Sequence, residues 1–182
     1  MQWRDTPDRF GLVTRLIHWT MAGLILWQLT GMALRALLGR QPVVGFFVGL
    51  HQPLGGVIFL LILLRIFWAL SNSPARPRHQ PGLVGRAAAL GHLALYALML
   101  VVPLLGLLRA WGSPRGYAPW GFEIFAPRAE PVDWAMAPAN LAHGPLAWTL
   151  AALTAGHVAM VLIHVFVWRD GIQRRMLAGT GY

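Results

Sequence analysis

The sequence predicts an all-α integral membrane protein, folded as a single domain of four transmembrane helices over residues 1–182. Of its 182 residues, 57% are hydrophobic and only 12% are charged, about half the charged fraction of an ordinary soluble domain. Four apolar stretches each exceed the roughly 20 residues that a helix needs to cross a bilayer. None of the four contains an aspartate or a glutamate, so the chain has the composition of a membrane-embedded helix bundle.

Breaker residues separate the four helices. The turn at residues 39–42 ends the first helix, because its glycine and proline both disfavour a helix interior. Proline-rich loops over residues 71–85 and 112–139 separate the second helix from the third and the third from the fourth. The helices are therefore expected over residues 12–38, 43–70, 85–111 and 140–168, and Pro103 is expected to kink the third.

The arginines predict the orientation of the bundle. All 15 basic residues are arginine; nine lie on the side that holds both termini, and five lie on the opposite side. Cytoplasmic segments carry the excess of positive charge in membrane proteins, so both termini are expected in the cytoplasm. The tryptophans at the expected span ends are typical of interfacial anchors; they are Trp19, Trp68, Trp111 and Trp168.

Composition also narrows the function. The chain has no cysteine, which excludes structural disulfides, thiolate ligation of a metal and cysteine-bound iron–sulfur clusters. Its net charge of +9 comes from arginines that flank apolar spans, so the expected partner is the lipid bilayer and no nucleic-acid partner is expected. A non-redox transporter would be expected to have acidic or other substrate-binding groups within the spans.

Four histidines lie at two levels of the expected bundle. His143 and His157 are 14 residues apart in the fourth helix, so they leave the same face about 21 Å apart along the axis. His18 lies near the cytoplasmic end of the first helix, and His51 lies nearer the outer end of the second. Depth therefore pairs His18 with His157 and His51 with His143.

These pairs predict two metal centres. A histidine inside a membrane is costly unless it is paired, and an interhelical hydrogen bond is the alternative that needs no cofactor. Four histidines paired at two levels favour two stacked haem irons, each held between two imidazoles. Two axial histidines leave no position for oxygen, which suits electron transfer, so the bundle is expected to hold two b haems.

Further residues lie near these centres. His164 follows His157 by seven residues on the same face and is the rival inner ligand, but it would separate the two irons by about 32 Å, the whole hydrocarbon thickness. His164 and His92 are otherwise candidates for a quinone site or for side chains that reach the surface. Arg65 faces the inner level, where it either pairs with a propionate of the inner haem or reaches lipid phosphate.

Small residues flank the second-helix histidine. They are Gly45 and Gly49 before His51, and Gly55 and Gly56 after it. Glycines at these positions either admit a flat macrocycle or serve ordinary helix–helix contact.

Each helix also carries a short motif. These motifs are R-L-I-H-W in the first, L-H-x-x-x-G in the second, L-G-H-L-x-L-Y-A-L-x-L-x-x-P-L-L-G-L in the third, and L-A-H with a histidine 14 residues later and then V-W-R-D in the fourth. In this order they resemble the prokaryotic cytochrome b-561 family, small four-helix di-haem proteins of the bacterial inner membrane. The resemblance implies haem ligation by His18, His51, His143 and His157, and electron exchange with ubiquinone. Because the chain has no lysine, any lysine role near the quinone would fall to arginine or histidine.

The expected function is that of a membrane electron conduit, either a pure carrier or an oxidoreductase. One branch of the family that the chain resembles oxidises superoxide at the outer face and passes the electron to quinone. Such a small anion could be steered by the outer arginines Arg109, Arg115 and Arg128. The alternative is that these arginines only keep the loop soluble in water. The resemblance to cytochrome b subunits of hydrogenases and formate dehydrogenases implies the alternative, a membrane anchor that passes electrons between a partner dehydrogenase or hydrogenase and quinone.

Overall fold

The computed structural model describes residues 2–77 and 79–177, and the all-α fold class is confirmed. Within these ranges the chain forms four long helices; these are α1 (Leu12–Leu38), α2 (Pro42–Ser71), α3 (Leu83–Gly112) and α4 (Asp133–Ile163). Each is long and apolar enough to cross a membrane, and the chain is a multi-pass membrane protein. Arg78, one of the nine arginines used to predict orientation, lies outside the described residues.

Helix α4 begins seven residues before its expected start. The prolines of residues 112–139 indicated a loop, yet Pro138 lies inside the helix. A proline near a helix start removes only one hydrogen bond, and its neighbours continue the helix. At its other end α4 passes into a π-helical turn at His164–Trp168, which ends at Arg169 in the left-handed conformation, φ 52°.

The apolar core lies between the two histidine levels. Extensive packing joins α1 to α2, α2 to α3 and α3 to α4. The buried cluster comprises Ile17, Met21, Ile25, Ile58, Ile62, Met99 and Leu150. In α4, Leu150 is midway in sequence between His143 and His157, and in α2, Ile58 is midway between His51 and Arg65. A water-excluding layer therefore separates two levels that carry polar side chains.

A buried carboxylate fastens the N-terminal segment to the bundle. Asp5 accepts hydrogen bonds from the backbone N–H of Gly11 at 2.8 Å and from the hydroxyl of Thr14 at 2.6 Å. It also pairs with Arg76, in the loop after α2, at 2.9 Å. Burial of this charge is tolerated because three donors surround it, and the start of α1 is thereby joined to the end of α2.

The C-terminal residues fold back over the start of α1. The backbone N–H of Phe10 donates to the carbonyl of Arg175 at 3.1 Å. The guanidinium of Arg15 donates to the carbonyl of Leu177 at 2.7 Å, and the indole N–H of Trp19 donates to the carbonyl of Met176 at 3.1 Å. Both ends of the described chain therefore lie at one end of the bundle, called the inner end below; the opposite end is the outer end.

Candidate functional site

The structure brings the four histidines together as two pairs. The ring centres of His51 and His143 are 6.0 Å apart at the outer level, and those of His18 and His157 are 6.4 Å apart at the inner level. An iron between two imidazole nitrogens needs about 2 Å on each side for the metal–nitrogen bond and about 1 Å more to each ring centre, or roughly 6 Å in total. Both separations therefore suit a metal held between two rings.

The outer histidine of α4 is oriented by the backbone of α3. The Nδ1 of His143 lies 2.9 Å from the carbonyl oxygen of Val102. A carbonyl can only accept a hydrogen bond, so Nδ1 carries the proton and Nε2 keeps its lone pair free for a metal. Gly106 lies one turn further along α3, where a Cβ would lie 3.4 Å from the ring carbon Cε1 of His143. A Cβ at this position would therefore be in van der Waals contact with the ring, so Gly106 borders the ring of His143.

The outer histidine of α2 borders a cavity. Gln28 donates to the backbone carbonyl of His51 at 2.8 Å, which joins α1 to α2 at this level. The cavity has a volume of about 270 Å³ and is lined by residues of all four helices, including His51, His143, Gly55 and Arg35. Within the described residues, the buried Nδ1 of His51 has no hydrogen-bond partner. Because buried polar atoms are almost always paired, this nitrogen beside a cavity fits a site that holds a further group such as haem.

Arg65 has protein partners at the inner level. Its Nη2 lies 3.1 Å from Nδ1 of His18, and its Nε donates to the hydroxyl of Tyr96 at 2.9 Å. The guanidinium also lies over the Tyr96 ring, 5.2 Å from the ring centre. Because arginine can only donate, Nδ1 of His18 is the acceptor in this state. A fixed positive charge therefore sits beside the inner histidine pair.

A third imidazole adjoins the inner pair. The ring centre of His92, on α3, is 5.4 Å from that of His157. On its other side His92 meets His79 of the α2–α3 loop, with the two nitrogens 3.3 Å apart. His92 therefore both adjoins the inner level and reaches the exposed loop.

His164 is held at the end of α4, away from the paired rings. Its Nδ1 lies 2.6 Å from a carboxylate oxygen of Asp170, and its ring meets Trp168 edge to face at 4.6 Å. Hydrogen bonds from the backbone N–H of Ile172 and from His164 hold the pKa of Asp170 below its ordinary value. The structure thus engages His164 with the C-terminal segment and shows no contact between it and His18.

The glycines around His51 differ in their surroundings. A Cβ at Gly45 or Gly49 would have no neighbour within 4 Å among the described residues, so neither mediates a close helix–helix contact. At Gly55 the nearest atom would be the side-chain nitrogen of Gln28, 3.8 Å away, and Gly56 lies under the hydroxyl of Tyr117. Of the four, Gly55 lines the outer cavity.

Sequence reasoning missed several residues that position the rings. Tyr96 follows His92 by four residues, so the two share a face of α3. That spacing could have shown from the sequence that Tyr96 lies near the inner level. Gly106 and Val102 share the same four-residue spacing, but only the fold shows that His143 lies against them. Gln28 gave no sequence signal, since a single amide in an apolar helix has many possible partners.

Comparisons with known proteins identify the family of the chain. The model of the family described as prokaryotic cytochrome b561 matches residues 9–179. The chain is 30% identical over 190 residues to cytochrome b561 homolog 2 of Escherichia coli strain K12, covering 97% of this chain and 95% of that protein. It is 27% identical over 166 residues to the probable superoxide oxidase CybB of Yersinia pestis, covering 88% of this chain and 91% of that protein.

Proposed function

The chain belongs to the prokaryotic cytochrome b561 family, whose members bind haem b, and we propose that it carries two b haems as a transmembrane electron conduit. His51 and His143 would hold the outer haem, and His18 and His157 the inner haem. The observation that carries this proposal is the pair of ring separations, 6.0 and 6.4 Å, at two levels of one bundle. When bound, haem b supplies reversible one-electron oxidation and reduction.

The proposed electron path runs along the bundle between the outer and inner histidine pairs. His143 and His157 leave one face of α4 about 21 Å apart along its axis. The buried apolar layer around Ile58, Met99 and Leu150 would keep water and ions out of the space between them. In this proposal electrons pass between the two haems across this layer. We place the protein in the bacterial inner membrane, with the inner end in the cytoplasm.

We further propose ubiquinone as the acceptor and superoxide as the donor at the outer end. Two superoxide ions would each lose one electron and leave as oxygen, and one ubiquinone would take up both electrons with two protons. Support comes from Arg35, which lines the outer cavity and would attract a small anion. Arg128 is less available, since its Nε donates to the carbonyl of Trp111 at 2.7 Å and its guanidinium stacks on that ring at 4.1 Å.

A stopped-flow experiment with the purified protein tests the donor. Superoxide is expected to reduce the haem iron within milliseconds, as followed by the change in haem absorption. Added salt should slow the reaction because the attraction between superoxide and the protein is electrostatic. Arg35→Gln should slow it several-fold, whereas Arg40→Gln, at an exposed position outside the cavity lining, should slow it less. Failure of superoxide to reduce the haems would reject this donor and leave the anchor-subunit function, for which co-purification with a dehydrogenase is the test.

A further inference from the structure

The loop between α3 and α4 has two distinct faces. Its residues Tyr117 and Phe125 form a bridge, in which the N–H of Tyr117 donates to the carbonyl of Phe125 at 2.8 Å. Tyr117 is buried against the bundle, with 6% of its surface exposed. Trp120, Phe122 and Ile124, which lie between the bridged residues, are 60%, 74% and 57% exposed. The loop therefore presents three large apolar side chains outwards, which is unusual for a segment surrounded by water.

The backbone of the loop tip keeps these side chains outwards. Trp120 lies in the left-handed region with φ 50°, which is rare for a residue with a large side chain, and Gly121 follows with φ 87°. The turn is closed by the N–H of Phe122, which donates to the carbonyl of Pro119 at 3.0 Å. A strained conformation that exposes an indole suggests a role for that exposure.

The loop also packs against the side of the bundle. The hydroxyl of Tyr117 lies so close to Gly56 of α2 that a Cβ there would collide with it. The loop thus packs against α2, a helix that is long and apolar enough to cross a membrane.

We propose that Trp120, Phe122 and Ile124 insert into the outer leaflet at the boundary between headgroups and acyl chains. Indole and phenyl rings favour this boundary, and the loop that carries them packs through Tyr117 on the membrane-spanning helix α2. Glu123, exposed between them, would lie among the headgroups. The loop is then an interfacial anchor that holds Tyr117 on α2. This inference rests on membrane insertion of the bundle and is independent of the donor and acceptor proposed above.

Single-cysteine labelling tests this inference, because the chain contains no cysteine of its own. Phe122→Cys and Ile124→Cys would each be labelled with an environment-sensitive fluorophore in the full-length, haem-containing protein in liposomes. Glu130→Cys, at an exposed position of the same loop, is the matched control. Spin-labelled lipids are expected to quench the labels at 122 and 124 at least about two-fold more than the label at 130, with labels near the headgroup quenching more than labels deep in the chain.

Two results would overturn the inference. The first is equal quenching of all three labels by the lipids. The second is stronger quenching of the labels at 122 and 124 by aqueous iodide than by lipid, which would leave the patch facing water or a soluble partner. Either result leaves the haem ligation proposed above untouched, since haem content is measured on the same samples. Labelling at two positions guards against a variant that does not fold.

Discussion

Arg65→Gln should lower the midpoint potential of the inner haem and leave that of the outer haem nearly unchanged. The guanidinium lies 3.1 Å from Nδ1 of His18 and is also fixed by Tyr96. A positive charge beside an iron centre favours its reduced form, which carries one positive charge less. Tyr96 keeps the guanidinium at this level even when ligation through Nε2 places a proton on Nδ1 of His18. Removing the charge therefore favours the oxidised form.

The size of this shift follows from the geometry of the inner level. The distance from the guanidinium to the iron is the sum of its contact with Nδ1 of His18, the width of the imidazole ring and a metal–nitrogen bond of about 2 Å. This places the iron roughly 7 Å from the guanidinium. The Coulomb energy at that distance is about 2.4 kcal/mol for an effective dielectric constant of about 20, and about 0.6 kcal/mol in water. For a one-electron couple these energies correspond to roughly 100 mV and 25 mV. The partly buried position of Arg65 favours the upper part of this range.

Spectroscopic potentiometry of the purified variants measures the shift. Arg65→Lys keeps the charge and should keep the inner potential within a few tens of millivolts of the parent, while Tyr96→Phe removes the hydroxyl acceptor and should have an intermediate effect. The haem content of each variant is determined in parallel. Unchanged potentials in an Arg65→Gln protein that retains both haems, or a shift confined to the outer haem, would refute the reasoning.

Three further outcomes are expected. His157→Ala should remove one haem and His164→Ala should retain both, as measured by pyridine-haem quantitation; the reverse result would make His164 the inner ligand. Gly106→Val should deplete the outer haem, because even a Cβ there would lie 3.4 Å from the ring of the outer ligand and overpacking typically costs about 1–3 kcal/mol; full occupancy would show that this ring can move freely. Asp5→Asn should destabilise the protein by about 2–3 kcal/mol through lost charged hydrogen bonds, whereas the exposed Asp8→Asn should stay within about 0.5 kcal/mol; equal thermal unfolding temperatures of the two variants would contradict the assigned role of the buried carboxylate.

The helices and the histidine levels could be predicted from the sequence because both depend on local spacing. Apolar runs between breakers predicted four helices, and a separation of 14 residues places two rings on one face of any α-helix. The start of α4 was harder to predict from the sequence, because prolines are compatible both with a loop and with the first turns of a helix. In this chain Pro138 lies inside the helix.

The residues that orient the rings could not be predicted in the same way. The contact between His143 and the Val102 carbonyl depends on how α3 and α4 pack, and no spacing within one helix specifies it. Likewise, Arg65 was expected at the inner level, but its contact with Tyr96 depends on the packing of α2 against α3. The exposed loop patch also needed the structure, because only the fold shows that Tyr117 packs against Gly56.

The central claim is that two pairs of imidazoles each hold a b haem. A reduced-minus-oxidised absorption spectrum combined with pyridine-haem quantitation on the purified protein tests it most directly. The proposed arrangement requires a b-type spectrum and two haems per chain, and substitution of His51 or His143 should leave one. A protein with one haem or none, or one that retains both haems after either substitution, would contradict the assignment of these four histidines.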